Sequence, residues 1–313
     1  MSFRDKNYWA VILGGSSGFG LAAAKKLASE GMHICVAHRD RKGSMARIEE
    51  EFASMRAQGV EVVSLNTNAL TPEGRQATLD ALAEKAGSAG KVRLLMHSIA
   101  LGNLKLLAPE VEGGGPQAAR RLLAEKLGTD PEKLNTVINE LFNEGVAEMH
   151  ALADSASYDS EMLLDEEDMA QTIHAMGTSL LSWVQDVFQR GLFAGDARVL
   201  SMTSEGNEVA WRSYGAVSAA KTSLEAVSRG IALEFAPYGI RSNVLQAGVT
   251  DTPALRMIPG NDHLRARMKL RNPFKRLTTP EDVGGVVALL CRDESAWING
   301  EIIRVDGGEH IAG

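Results

Sequence analysis

The 313-residue chain predicts an α/β fold of three layers, with helices on both faces of a central seven-stranded parallel sheet and one inserted helical subregion. Three observations lead there. Apolar runs of strand length alternate with amphipathic stretches of helical length. A glycine-rich turn joins the first run directly to the first helix. The alternation breaks once, over residues 101–164, and then resumes.

Tyr8–Leu13 is the first strand, and the helical pattern Leu21–Ser29 follows the glycine turn. Met32–Ala37 reads as strand, Ser44–Gln58 as helix, Val60–Leu65 as strand, Glu73–Ala86 as helix and Val92–His97 as the fourth strand. After the break come helix Asp168–Arg190, strand Ala197–Met202, helix Ser213–Phe235, strand Arg241–Leu245, helix Pro280–Cys291 and a last strand, Glu301–Val305, closed by Asp306-Gly307-Gly308. A single domain over 1–313 accommodates all of them. The 101–164 insert is far longer than an ordinary connection. One helix fits Pro116–Leu127. A second, capped by Asp130 with Pro131 in its first turn, fits up to His150, and Gly145 interrupts its apolar pattern. The insert leaves the sheet where ligands bind in this architecture. It reads as a helical pair on the domain edge, a wall or lid for the substrate site, or a partner surface.

Composition excludes several classes. With 44% hydrophobic and 23% charged residues and a formal charge of −7, the chain does not resemble a general nucleic-acid binder. No run approaches 18 apolar residues, so no membrane insertion is expected. Met1–Asn7 is polar and unlike a secretory leader, which predicts a cytoplasmic protein. Cys35 and Cys291 are two distant cysteines in apolar runs, expected as buried thiols. The seven histidines show no metal-ligand spacing, so no metal is expected.

The turn Gly14-Gly15-Ser16-Ser17-Gly18-Phe19-Gly20, between strand and helix, reads as a Rossmann-type dinucleotide site. Gly14 permits the tight turn, Gly18 and Gly20 let backbone approach phosphate, and the helix N-terminus offers unpaired N–H groups to a pyrophosphate. Arg39, after the second strand, suits a 2′-phosphate by charge and bidentate geometry, assisted by Arg41, Ser16 or Ser17, which predicts NADPH. An offset of one residue would instead put Asp40 on the ribose hydroxyls. Asn68 and Ala69 are expected near the adenine, and Ser98, Ile99 and Ala100 near the riboses. Gly248, Val249, Thr250 and Thr252 follow the sixth strand, with Val249 or Thr250 expected to bond the nicotinamide carboxamide.

Tyr214 and Lys221 lie seven residues apart on the expected helix, about 700° or nearly two full turns, so both project to one side about 10 Å apart along the axis. Lys221 would hold the ribose hydroxyls and supply positive potential, and Tyr214 would reach the reacting oxygen.

Taken in order, Gly14–Gly20, His97-Ser98-Ile99-Ala100, Tyr214 with Lys221, Arg241–Thr252 and Val305–Gly308 resemble the short-chain dehydrogenase/reductase superfamily, outside the insert. Most members place the tyrosine four residues before the lysine, where this chain has Val217, and carry Asn-Asn-Ala-Gly where it has His97–Ala100. Both departures resemble enoyl-acyl carrier protein reductases. The ordinary form of the glycine motif is similar to their NADPH-using branch. Many of these enzymes have a second tyrosine ten residues before the first; Ser204 stands there, with Ser201 and Thr203 as neighbouring hydroxyls. Met176 lies near the place of a structural asparagine in many dehydrogenases.

The resemblance implies NADPH-dependent reduction of the C2=C3 bond of a trans-2-enoyl thioester, carried by acyl carrier protein or CoA. Hydride goes to C3, and Tyr214, assisted by Lys221 and Ser204, stabilises the resulting enolate oxygen. The alternative is an NADPH-dependent 3-oxoacyl or ketone reductase or alcohol dehydrogenase of the same superfamily. Residues 251–276 carry apolar side chains for an acyl pocket, together with Arg256, Arg265, Arg267, Lys269, Arg271, Lys275 and Arg276, a basic cluster suited to an acidic acyl carrier protein. The resemblance also implies a homo-oligomer, commonly a tetramer.

Overall fold

A computed structural model describes residues 3–111 and 116–312; residues 112–115 of the insert lie outside the described residues. The chain runs β1 (Tyr8–Leu13), α1 (Gly18–Ser29), β2 (His33–His38), α2 (Met45–Arg56), β3 (Val62–Asn66), α3 (Pro72–Ala86), β4 (Lys91–His97), α4 (Gln117–Leu127), α5 (Pro131–Asn143), α6 (Glu166–Ile173), α7 (Ser179–Gln189), β5 (Phe193–Ser204), α8 (Gly215–Glu234), β6 (Ile240–Ala247), α9 (Pro253–Arg256), α10 (Asn261–Arg271), α11 (Pro280–Leu290) and β7 (Ile302–Val305). The seven strands form one parallel sheet in the order β3-β2-β1-β4-β5-β6-β7. The order reverses between β1 and β4, which opens a crevice at the carboxyl ends of the strands.

The core has a layer on each sheet face. One buries Ile12, Ile34, Phe52, Met96, Leu245 and Val287, the other Val11, Leu79, Leu95, Trp183, Val199 and Ile231. Trp183 satisfies its indole N–H on the Ala69 carbonyl (2.9 Å), as a buried tryptophan must. Cys35 and Cys291 are buried thiols, and burial pushes both up to about 12, far from the thiolate range. Among the described residues no helix is long and apolar enough to cross a membrane, and no group of three or more His, Cys, Asp or Glu is placed to hold a metal.

At the amino ends of β4 and β5, away from the crevice, Asp196 gathers three arginines. It accepts from Arg93 Nη1 at 2.6 Å, from Arg198 Nη1 at 2.6 Å and from Arg241 Nη1. Arg93 and Arg198 are fully buried. The β4–β5 register shifts between Val92 and Leu94, so the chain bulges where these charges sit.

Many element ends shift by a few residues from the sequence expectation, β5 from Ala197–Met202 to Phe193–Ser204 among them, and three departures stand out. β2 runs one residue further, to His38. The helix expected to reach His150 stops at Asn143, because Gly145 adopts φ +99, a left-handed geometry that ends a helix at little cost in glycine. The stretch expected as helix Asp168–Arg190 begins earlier, at Glu166, and carries a π-helical segment, His174–Thr178, in its middle. That widened turn buries Ala175, Met176 and Gly177 against α8, where a Cβ on Gly177 would lie 2.7 Å from the Ala220 carbonyl oxygen.

The insert is fastened at several points. Leu164 N–H donates to Leu106 O at 2.8 Å, and Asn103 N–H to Thr172 Oγ1 at 3.0 Å. Asp130 caps α5 by accepting from Lys133 N–H at 3.0 Å, with Pro131 at the first helical position as the sequence predicts. Arg120 of α4, nearly buried, reaches Leu152 O and Asp154 Oδ1. From α10, His263 holds His150 O at 3.0 Å and Asp154 O at 2.9 Å, and Phe142 packs against its ring at 4.7 Å. The insert thus rests on α10.

Candidate active site

A cavity of about 440 Å³ opens at the carboxyl ends of β4, β5 and β6. It gathers Phe19, Ser98, Ile99, Ala100, Ser204, Tyr214, Lys221, Gly248, Val249, Thr250 and Thr252 on one wall system. Gly14, Ser16, Ser17, Gly18, Gly20, Arg39, Asn68 and Ala69 do not line it; they belong to the turns after β1, β2 and β3. Two contacts join the regions. Gly14 (φ +84) packs so tightly against the segment after β4 that a Cβ there would lie 2.6 Å from the Ser98 carbonyl oxygen, and Gly18 (φ +52) faces Thr252. The first turn of α1 holds no acidic side chain, and Ser17 makes no side-chain cap, so its N–H groups remain free for an anion.

Tyr214 stands just outside α8, at its N-cap, with φ −104 and ψ 3. The helix expected from Ser213 therefore begins two residues later, at Gly215, while Tyr214 and Lys221 both face the one cavity. The reason is local. Ser213 adopts φ +58, a left-handed geometry costing about 1 kcal/mol or more in a non-glycine residue, and turns the chain ahead of the helix. The Tyr214 ring lies over the turn after β5, where a Cβ on Gly206 would approach its Cε1 to 2.4 Å, and against Trp211 at 5.4 Å between centroids. Its hydroxyl is 3.2 Å from Ser204 Oγ. Burial pushes the phenol up, against a smaller pull from Ser204, so Tyr214 stays protonated and able to donate.

Lys221 is buried and donates to the Met202 carbonyl at 2.9 Å. Burial pulls its ammonium down to about 8, and the Glu225 carboxylate one turn on works the other way. Glu225, which the sequence reading passed over, is itself buried and accepts from Thr203 Oγ1 at 2.5 Å and Asn207 Nδ2 at 2.7 Å. His97 is fully buried, bonded to Ser179 Oγ at 2.9 Å and held neutral, pulled down to about 3 by burial and by Lys221. Leu104, Met176, Trp211, Val217, Met257 and Ile258 supply the apolar lining.

Several of the expected site residues also make bonds within the fold. The Val249 N–H already donates to Glu309 Oε1 at 3.0 Å, and Thr250 Oγ1 donates to Gly248 O at 2.9 Å. Thr252 caps α9, accepting from Leu255 N–H at 3.2 Å. Asn68 Oδ1 accepts from Leu70 N–H and closes its own turn. Much of the basic cluster is spent within the fold: Arg256 and Arg265 on Asp251, Arg271 on Glu205 and Arg276 on Asp282, which leaves Arg267 and Lys269 exposed on α10. At the end of β2, Arg39 is exposed, and the Asp40 carboxylate beside it is bonded to buried His38 Nδ1 at 2.8 Å.

The fold and this crevice define a class. The family described as short chain dehydrogenase matches residues 8–108, and that described as enoyl-(acyl carrier protein) reductase matches residues 129–310, more than half of the chain. The chain therefore belongs to the short-chain dehydrogenase/reductase superfamily, in its enoyl-(acyl carrier protein) reductase family, with an inserted helical region after the fourth strand.

Among its relatives is the NADH enoyl-[acyl-carrier-protein] reductase FabI of Escherichia coli, 37% identical over 123 residues, 39% of this chain and 47% of that enzyme. The match thus spans about half the length of that relative. The FabI of Bacillus cereus, also named for NADH, is 30% identical over 54% of this chain and 66% of its own. Among solved structures, FabI from Candidatus Liberibacter asiaticus superimposes with a TM-score of 0.71 at 18% identity, covering 100% of this chain and 99% of that one.

These relatives overturn the NADPH expectation, since the FabI enzymes matched here are named for NADH. The physical reason lies at the end of β2: a 2′-phosphate drawn to exposed Arg39 would also meet the like charge of Asp40.

Proposed function

We propose that this protein reduces the C2=C3 bond of a trans-2-enoyl thioester, with NADH as reductant and an acyl carrier protein as the favoured carrier. The carrying observation is the part-buried Tyr214–Ser204 hydroxyl pair, 3.2 Å apart at the cavity wall, with apolar Val217 at the position four before Lys221. The residues fit the cofactor. Gly14 packs on the segment after β4 and Gly20 on the Gly14 carbonyl, so the turn closes tightly, and the α1 N-terminus above it is free of acidic side chains, as a pyrophosphate requires. In this reading Asp40 is the acceptor for the ribose hydroxyls.

When bound, the nicotinamide would supply a hydride to C3, and a solvent-derived proton at C2 of the resulting enolate would complete the saturated acyl product. The protein's own work is electrostatic and geometric. Tyr214, protonated and oriented by Ser204, donates to the thioester oxygen as negative charge accumulates there. Lys221, fixed by the Met202 carbonyl and kept charged by Glu225, adds positive potential. The apolar lining, with Leu255, Met257 and Ile258 from the covering segment, excludes water and holds the acyl chain. Exposed Arg267, Lys269 and Lys275 are the cations of the cluster left to meet an acidic carrier.

NADH oxidation with trans-2-enoyl thioesters, run beside matched 3-oxoacyl thioesters and read out by product mass, tests the assignment. A saturated acyl product is expected. A hydroxyacyl product without enoyl turnover would move the protein to the carbonyl reductases. The Lys221 cation also sets a pH limb: it is charged below about 8 and neutral above, so kcat is expected to fall as pH rises through that value. Glu225→Gln, which removes the opposing carboxylate, is expected to shift the limb to lower pH; an unmoved limb would separate it from Lys221.

A further inference from the structure

The last strand is followed by a reversal with two left-handed glycines, Gly307 (φ +61) and Gly308 (φ +82), which brings Glu309 back to the end of β6. The turn is firmly built. Asp306 accepts from Gly308 N–H at 2.9 Å and from His310 Nδ1 at 2.6 Å. Arg271 clamps the segment by donating to Ala312 O at 2.8 Å and His310 O at 2.9 Å while gripping Glu205 with its remaining nitrogen. Glu309 is thereby placed in the cavity wall at only 2% exposure.

Its two oxygens differ. Oε1 accepts from Val249 N–H. Oε2 is buried and has no hydrogen-bond partner among the described residues. The nearby Asn272 amide donates to the Asp306 carbonyl at 2.9 Å. Burial pushes the Glu309 carboxyl up to about 7, and Glu205 and Asp306 add to the rise, while the Val249 N–H and the Asn272 amide both pull it down. With no hydrogen-bond donor on it in the fold, this buried oxygen is placed for one arriving with a ligand. At its reacting end an enoyl thioester offers only acceptors. The nicotinamide carboxamide carries an amine, and the segment holding Val249 is where the sequence places that carboxamide.

We infer that Glu309 is a cofactor-positioning residue: its free Oε2 accepts a hydrogen bond from the carboxamide amine of the nicotinamide, while Oε1 keeps the Val249 main chain in place. The inference rests on the proposed nicotinamide cofactor and adds the group that orients its ring. It also explains why the Val249 N–H is occupied: it braces the carboxylate, and the carboxylate meets the cofactor.

The test is cofactor affinity without substrate, measured by fluorescence titration of the full chain. The probes are NADH and reduced 3-acetylpyridine adenine dinucleotide, which replaces the carboxamide amine by a methyl group. At pH 8, above the carboxyl's value of about 7, the wild type is expected to favour NADH, and Glu309→Ala to weaken NADH about 10- to 100-fold, as for a hydrogen bond to a charged acceptor, while the analogue's affinity stays within about twofold. An equal loss for both ligands would reduce Glu309 to a structural brace and overturn the inference, as would unchanged NADH binding in the variant. The analogue arm reports whether the variant's site is intact. A wild type that binds neither nicotinamide would overturn the cofactor reading and this inference with it, whereas NADH binding without enoyl turnover would overturn the enoyl substrate alone.

Discussion

Tyr214→Phe is expected to lower the rate of enoyl-thioester reduction about 100- to 1000-fold, the loss typical of removing one preorganised donor to a developing oxyanion, with NADH affinity unchanged. The ring keeps its place, because Gly206 and Trp211 pack on its carbon edges and not on the hydroxyl. Only the donor 3.2 Å from Ser204 is removed. Ser204→Ala is expected to cost less, since it orients the phenol and leaves it in place. Stopped-flow kinetics with saturating NADH and enoyl thioester measures both. A Tyr214→Phe enzyme within threefold of wild type would remove the phenol from the mechanism.

Asp196→Ala is expected to destabilise the fold by about 3 kcal/mol, the lower end of the cost of removing one partner of a buried ion pair. The lower end applies because the carboxylate is one-third exposed while Arg93 and Arg198 are almost fully buried. Those guanidiniums keep other acceptors, Asp293 Oδ1 and Cys291 O for Arg93 and Leu290 O for Arg198, but lose their shared anion. The arginines hold Asp196 down at about 2, below its ordinary 3.8. Its stabilisation is therefore present above pH 3.8 and is lost as pH falls through about 2. Denaturant melts at several pH values are expected to show that acid limb in the wild type and a flatter one in Asp196→Ala. Equal midpoints at pH 7 would show that the three arginines do not depend on this carboxylate.

The sheet was legible because its signals are local. Strand runs such as Tyr8–Leu13 are continuous apolar segments, and Gly14–Gly20 is a turn whose geometry only glycines at those places allow. Asp130-Pro131 announced the start of α5 by the same logic. Other features depend on groups far apart in sequence. Whether Arg271 and Arg256 face solvent or an internal carboxylate depends on where Glu205 and Asp251 fold, so the basic cluster looked freer than it is. Glu309 sits sixty residues from the amide it holds, and nothing in its neighbours marks it as buried. Cofactor choice turned on a single position at a strand end, where Arg39 and Asp40 point to opposite answers. The π segment at His174–Thr178 has no reliable sequence mark; only Gly177, which lets the segment close on α8, hints at it.

The attachment of the insert to α10 changes what opening the cavity entails. The covering segment that contributes Leu255, Met257 and Ile258 continues into a helix whose His263 is bonded to two carbonyls of a distant chain stretch and packed against Phe142. A loop anchored only at its own ends can swing on two hinges. This one is laminated to a second panel, so lifting α10 must either break those bonds or carry residues 131–154 along. Ligand entry and release are then expected to be coupled to a helical hairpin more than a hundred residues upstream, and a change on the outer face of that hairpin is expected to act on the rate of exchange without touching the chemistry.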